Sequence, residues 1–588
     1  MTADVANSLD PPGEPPADQA SGSRTDRRAR AEPVGPLTWV IIAITLLPIV
    51  VLIVRVFFGL GGSFHATADN AMNEMRVRDI GTHAVLTGPY SRDGWSHPGP
   101  LFYYLSVIPY RLLGSNTSAM LVDALLINGI AIAIIVATAK RWAGILLAIP
   151  VALACATLIL SLPNGFLENP WNPYLTVLPF GAFVITAWAA ACGSRWAFPI
   201  AVFIGTFCMQ THIGYAPLVM VLLAWCVWHI VRDRSTHWLA TLGWGTATLA
   251  VLWFPPLLQQ LTSHPGNLRE IGRYFLHPPD RVHTISEGWR VVAAQFTFLP
   301  DWIVGLRNVS PWSGEPGVVI GAAPIPVLLA PFLAAIVVAF RARRRVDSRL
   351  AAAIVVSLAV SVYAIAHTVS NMYEYRLRWV WVLAGLAMAF TACEAARLIA
   401  PHCNARTRRI VMGAALTMTV TLATLGVANA TSARPPDPGD AAIGVSLSEQ
   451  VLRHLPPGPG VVLLQPTSFI ASTDSAAMQL YLERRGIHVV IPDTLPNRLS
   501  HGDHRVLREE RVRANLVLAT ESGVDEVGAR SGARLVAYEG KLPFSARAPV
   551  VARLKKLLRR SKNLFDRELV RLSHLLAARA VFEFPSSR

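Results

Sequence analysis

The sequence predicts an α-helical polytopic membrane protein with about eleven transmembrane helices, followed by an extracytoplasmic α/β domain. Three observations predict it. Of 588 residues, 53% are hydrophobic and 15% charged, too little charge to keep a soluble chain of this size dispersed. The apolar residues come in blocks about 20 long, the length a helix needs to cross a bilayer core. Arginines gather in short connections at alternate block ends, as cytoplasmic loops do. Coiled coils, disulfide scaffolds and purely cytosolic enzymes are excluded.

The formal net charge of +16 does not by itself imply a nucleic-acid partner, and none is expected. Nearly all of the excess is arginine, much of it in those short connections, where it orients helix ends. The cysteines are Cys155, Cys192, Cys208, Cys226, Cys393 and Cys403. None forms a CxxC and none lies in the long C-terminal segment, so neither a metal cluster nor a disulfide framework is expected.

Residues 1–36 are rich in Pro, Ala, Asp and Arg and read as a disordered cytoplasmic tail without a cleavable signal peptide. The arginines before Leu37–Leu60 predict that this span runs outward. Residues 61–117 form a long outer loop whose PLFYYLSVIPYRLLG stretch is too short to span and reads as an interfacial amphipathic helix. The following spans are Ser118–Thr138, Trp142–Leu162, Leu175–Cys192, Phe198–Ile213, Ala216–Val231 and Trp238–Leu258. A second outer loop runs through 259–317. Val318–Phe340, Leu350–Val369, Trp379–Leu398 and Ile410–Ala430 complete a transmembrane domain of 37–430. Residues 431–588 then lie outside. Short apolar runs (VVLLQ, IHVVI, NLVLA, RLVAY) with a helix between the first two predict a small α/β domain. No Gly-rich phosphate loop opens it. The segment RLKKLLRRSKNLFDRELVRLSHLLAARAVF reads as a basic C-terminal helix, for an anionic membrane surface or for solvent.

Polar groups clustered at one membrane face are informative because spans avoid them. In this topology four outer segments collect them: Asp69, Glu74, Arg76, Arg78 and Asp79, then Arg92, Trp95 and His97, in the first loop; Glu168, Asn169, Trp171 and Asn172; Gln210, His212 and Tyr215; and Tyr373, Glu374, Arg376 and Arg378. Simpler readings stand beside the functional one. Asp69 can cap the helix after it. Glu74 and Arg78 are spaced for a surface ion pair. Glu168 and Asn172 can close turns around Pro170 and Pro173. His212 can be an ordinary interface histidine, and Arg376 and Arg378 can snorkel. His264, His277 and His283 match no zinc spacing.

One span, an outer loop with an early Asp, then His97-Pro98-Gly99-Pro100-Leu101 before FYYL resembles the GT-C glycosyltransferases. The likeness is greatest to protein O-mannosyltransferases and bacterial lipid A aminoarabinose transferases, which carry a His- or Lys-Pro-Pro-Leu element here. Gly99 replaces the second proline of that element, and Asn70 follows a single Asp where a paired acid is usual. The resemblance implies transfer of a sugar from a polyprenyl-phosphate carrier to a glycan, lipid or protein acceptor of the cell envelope, with inversion, at the outer face of the cytoplasmic membrane. It implies no cofactor and no metal, and membrane lipids as surroundings. Arabinofuranose and mannose are among the sugars left open. Asp69 is the candidate general base. Arg376 and Arg378, with Arg76 and Arg92 behind them, are the candidates to hold the phosphate. His97 is a candidate to orient it, and Trp95, Trp171 and Tyr373 to face the sugar. Glu168, Asn172, His212 and Glu374 complete the candidate binding set. A transporter or flippase of lipid-linked precursors is the alternative; charges at span ends and no internal repeat disfavour it. A non-catalytic assembly partner retaining the fold is a third reading.

Overall fold

The computed structural model describes residues 33–234, 237–305, 324–560 and 567–585. Most of the expected tail, the end of the second long loop and the start of the expected Val318–Phe340 span lie outside them. Among the described residues, eight helices are long and apolar enough to cross a membrane: Pro36–Phe57, Ala119–Ala143, Asn172–Ala191, Ile213–Asp233, Trp238–Thr262, Arg345–Ala366, Trp379–His402 and Ala405–Thr431. Three shorter apolar helices, Ile145–Ser161, Ala197–Thr211 and Leu329–Arg341, occupy the remaining expected positions. At 1.5 Å per residue these rise only about 20–25 Å. The chain is a multi-pass membrane protein.

Ion pairs knit one end of the bundle. Asp233 holds Arg349 at 2.5 Å and also pairs with Arg345, while Glu394 holds Arg344 at 3.2 Å and Arg397 at 3.0 Å. Arg349 also donates to the Ala191 carbonyl at 2.6 Å, satisfying a helix C-terminus.

The other end carries the two long loops. The first contains the Ala68–Asp79 helix, a hairpin pairing Ser91 with Trp95, and the Leu101–Leu112 helix. That last helix is one-sided as expected: Phe102, Tyr103, Ser106 and Tyr110 are buried, Ile108 and Leu112 exposed. The second contains the helices Asn267–Leu276 and Ile285–Ala294, the latter opened by a Thr284/Glu287 capping box.

The C-terminal residues form a five-stranded sheet in the spatial order Val489–Val490, Val461–Pro466, Val512–Thr520, Ala578–Phe584, Arg534–Gly540. The first three strands are parallel; Ala578–Phe584 is antiparallel to both neighbours. The expected single basic helix is therefore corrected. It is two helices, Arg547–Arg560 and Arg567–Leu576, followed by a strand within the sheet. In ARAVFEF, Ala578, Ala580 and Phe582 share one face, and the other carries Arg579 and Glu583 around the buried Val581, a largely period-two pattern that fills a sheet better than a helix face.

The Ala68–Asp79 helix packs on Phe469–Glu483 of this sheet region. Glu74 is correspondingly buried rather than paired with Arg78 at a surface. It accepts from Tyr110 Oη at 2.9 Å and from Arg484 at 2.5 Å, and Arg78 faces Glu483 at 3.9 Å.

Candidate active site

The loop-bearing end of the bundle encloses a cavity of about 580 Å³. Eight expected residues line it: Asp69, Arg92, Trp95, His97, Trp171, Asn172, His212 and Arg376. Five others do not: Arg76, Glu168, Tyr373, Glu374 and Arg378. Pro217, Met220, Tyr363 and Ala364 from two long apolar helices, with Ile271 and Phe275, give it an apolar wall. Phe469, Thr473, Asn497 and Ser500 of the C-terminal region close another side.

Asp69 lies in the first turn of its helix, not at the cap. Thr67 holds the N-cap position, with no side-chain cap bond. Ala68 has φ 45°, a left-handed conformation that costs a non-glycine residue about 1–2 kcal/mol and bends the chain just before the acid. The Asp69 carboxylate accepts one hydrogen bond, 2.7 Å from Trp171 Nε1. Burial raises its pKa above the ordinary aspartate value, against that bond and the charge of Arg92. A carboxylate with an elevated pKa is a stronger base than a solvated one. Asn70, where the resembling families place a second acid, donates to Asn169 Oδ1 at 3.0 Å. Asn169 in turn accepts from the Trp171 amide at 3.0 Å, so one asparagine pair positions both Asp69 and its tryptophan partner.

His97 Nδ1 accepts from the Ile213 amide at 3.1 Å, leaving Nε2 as the protonated nitrogen. Burial, with the nearby His212 and Arg376, lowers its pKa well below that of a free histidine. It is a neutral donor at physiological pH. His212 lies 5.0 Å away, ring to ring, and Trp95 packs edge-on at 5.4 Å. Asn172 Nδ2 donates to the Thr211 carbonyl at 3.2 Å, tying two helix ends at the cavity wall.

Gly99 explains the departure from a proline pair. A Cβ there would overlap the Gln210 carboxamide and Pro256. Gln210 is fully buried, accepting from the Leu101 amide at 3.3 Å and donating to the Leu252 carbonyl at 2.8 Å. It anchors the motif to the bundle.

Arg92 and Arg376 share the Tyr373 ring, at 4.9 and 5.4 Å from its centroid. Arg376 also donates to Tyr375 Oη at 3.2 Å. Among the described residues neither guanidinium is in an ion pair with a carboxylate. Arg378, two residues on, differs. It is 1% exposed and forks onto Glu374 with bonds of 2.8 and 2.7 Å, over the rings of Phe166 and Tyr174. Its charge is neutralised within the fold, so it clamps the turn rather than facing the cavity. Arg76 is likewise turned away, 3.1 Å from Asp79 at the far end of its helix. Glu168 is buried outside the cavity, its carboxyl pushed up to about 7 by desolvation.

Sequence reasoning missed Tyr375, Trp379 and the six lining residues from the C-terminal region, among them Phe469, Thr473, Asn497 and Ser500. Nothing local marks the latter, whose placement depends on how the sheet region docks.

No protein-family model and no curated protein matches this sequence. Solved structures match in fold, among them ArnT from Cupriavidus metallidurans bound to undecaprenyl phosphate (TM-score 0.51) and the same protein in its apo state (TM-score 0.50). Each is 14% identical, over 86% of this chain and 97% of the other. The chain therefore shares the overall fold of ArnT.

Proposed function

We propose that the chain is a membrane glycosyltransferase that moves a sugar from a polyprenyl-phosphate carrier to a cell-envelope acceptor. The observation carrying this reading is that a single cavity holds a carboxylate of raised pKa and two arginines that, among the described residues, have no carboxylate partner, beside an apolar wall from long apolar helices. A lipid-borne phosphate ester needs that combination. That a protein of the same fold binds undecaprenyl phosphate supports the carrier class.

In the reaction, the acceptor hydroxyl oxygen bonds to the anomeric carbon while Asp69 takes its proton. The bond from that carbon to the phosphate oxygen breaks, and its electron pair stays on the phosphate. Arg376 and Arg92 stabilise the added negative charge, since guanidinium donors match phosphate oxygens in geometry and sign. The neutral His97 offers Nε2–H to the same group. Attack opposite the departing phosphate inverts the anomeric centre. We place the reaction at the outer face of the cytoplasmic membrane, with the N-terminus cytoplasmic and the C-terminal domain extracytoplasmic. The arginine-rich connections at the ion-paired end of the bundle support that orientation.

The test is incubation of purified protein with radiolabelled polyprenyl-phosphate sugars and membrane acceptors. Glycoside formed by the native chain and lost in Asp69→Asn supports the assignment. Unchanged transfer in Asp69→Asn removes the base. Movement of the carrier across vesicles with no glycoside formed returns the chain to the transporter class.

A further inference from the structure

Where the first long loop meets the C-terminal region, three potential metal ligands converge that no spacing argument could link, since they span residues 79 to 504. The rings of His83 and His504 lie parallel, with centroids 3.6 Å apart and planes inclined by 8°. His504 Nε2 is 3.2 Å from Asp79 Oδ1. One donor atom each of Asp79, His83 and His504 falls within 4.8 Å of the other two. Two arginines, Arg76 at 3.1 Å and Arg505 at 2.8 Å, both engage Oδ2 of Asp79. They fix the carboxylate plane and leave Oδ1 as the oxygen that faces the imidazoles. His83 is exposed, whereas Asp79 is buried, so the group is open on one side. Thr82 Oγ1 lies 3.1 Å from His83 Nδ1, leaving Nε2 unoccupied.

We propose that Asp79, His83 and His504 form a binding site for a zinc-type divalent transition-metal ion. Two imidazoles and one carboxylate suit zinc, whereas magnesium and calcium favour all-oxygen shells. A small rotation of the two rings out of their stack brings both Nε2 atoms and Oδ1 onto one ion, which exchanges the His504–Asp79 hydrogen bond for two metal bonds. Water from the open side completes a tetrahedron. The neighbouring guanidinium groups weaken the site relative to one that owns its carboxylate, so binding is expected at micromolar rather than far lower concentration.

The ion joins the loop bearing Asp79 and His83 to the C-terminal region bearing His504. It sits at the opposite end of the Ala68–Asp79 helix from Asp69, about 15 Å away at 1.5 Å per residue. It takes no part in chemistry at Asp69, and the inference does not depend on the proposed transferase activity. Its effect is to fix the C-terminal region against the loop that shapes the cavity.

The experiment uses the purified full-length protein in detergent, stripped with EDTA, incubated with micromolar zinc chloride at pH 7.5 and desalted. Zinc is then counted by mass spectrometry, and thermal unfolding is recorded with and without the metal. The expected result is about one zinc per chain and a raised Tm, with both lost in His83→Ala and in His504→Gln and both kept in His454→Ala, an exposed histidine elsewhere. His83 is at the surface, so its variant folds whatever the fate of the His504 variant. Native protein that retains no zinc and shows no Tm shift overturns the site. So does equal zinc in native protein and His83→Ala, or loss in only one of the two ligand variants.

Discussion

The Ala68–Asp79 helix carries an aspartate near each end, and the two are treated in opposite ways. Asp79 is surrounded by donors: Arg76, Arg505 and His504 hold its carboxyl down at about 2. Asp69 has one tryptophan N–H and a more distant arginine, and burial moves its pKa upward. Desolvation acts on both; what differs is whether the fold supplies compensating charge. A carboxylate fully matched with cations holds elements together. One left short of partners inside a cavity is free to exchange a proton. Arg376 and Arg378 repeat the lesson with the sign reversed, the first without a carboxylate and facing the cavity, the second locked to Glu374.

Variants at the two ends of the helix test this contrast. The largest effect expected is on chemistry. Asp69→Asn should cut the single-turnover transfer rate by about 10²–10⁴, the usual contribution of a general base, while chemical or thermal unfolding stays native-like. A variant as unstable as it is inactive would make Asp69 a structural residue like Asp79. Next comes stability. Arg505→Ala leaves Asp79 and Glu483 short of a buried partner and should lower unfolding free energy by about 3–5 kcal/mol, read from denaturant or thermal midpoints. Arg376→Ala should instead leave the midpoint within about 0.5 kcal/mol and raise the KM for the lipid donor about tenfold or more, whereas Arg378→Ala should lower the midpoint. Equal destabilisation by both would erase the distinction between them. Gly99→Ala, which overlaps Gln210, should cost about 1–3 kcal/mol.

The smallest effect is the pH dependence of Asp69. Its folded pKa is raised, so the folded chain holds that proton more tightly than the unfolded chain does. Stability from this group therefore falls as pH rises from the ordinary carboxylate value through the folded one. Transfer activity runs the other way, rising through the folded value as the base form appears. Stability–pH curves of native protein and Asp69→Asn should diverge in that window, and a native acid limb at the ordinary aspartate pKa would contradict the assigned environment.

Much of the architecture was legible because a bilayer imposes length and apolarity on every span, and arginine clusters mark alternate ends. Gathering loop polar residues by membrane side was enough to bring Asp69, Arg92, Trp95, His97, Asn172, His212 and Arg376 onto one list, and they share one cavity. Side alone could not separate them from Arg76, Glu168, Tyr373, Glu374 and Arg378; of these, Arg76, Glu374 and Arg378 are taken up by ion pairs, which membrane side does not encode. One signal did exist: Glu374 and Arg378 are spaced i, i+4, the pairing distance of a helical turn, and Arg376 is not. The Ala578–Phe584 strand was hidden by the cationic, helix-favouring run before it, and it forms only because two other strands flank it. The wall from Phe469, Thr473, Asn497 and Ser500 depends on docking between regions 400 residues apart, which no local pattern encodes.

The tyrosine shared by Arg92 and Arg376 has an electrical consequence. Two like charges held near one ring repel each other when nothing lies between them, and the electron-rich face of Tyr373 offsets part of that repulsion. An arriving anion relieves the remainder, so the pocket is biased toward negative guests. Small ions such as chloride should compete for it, and added salt should loosen the grip on any phosphate by screening both partners.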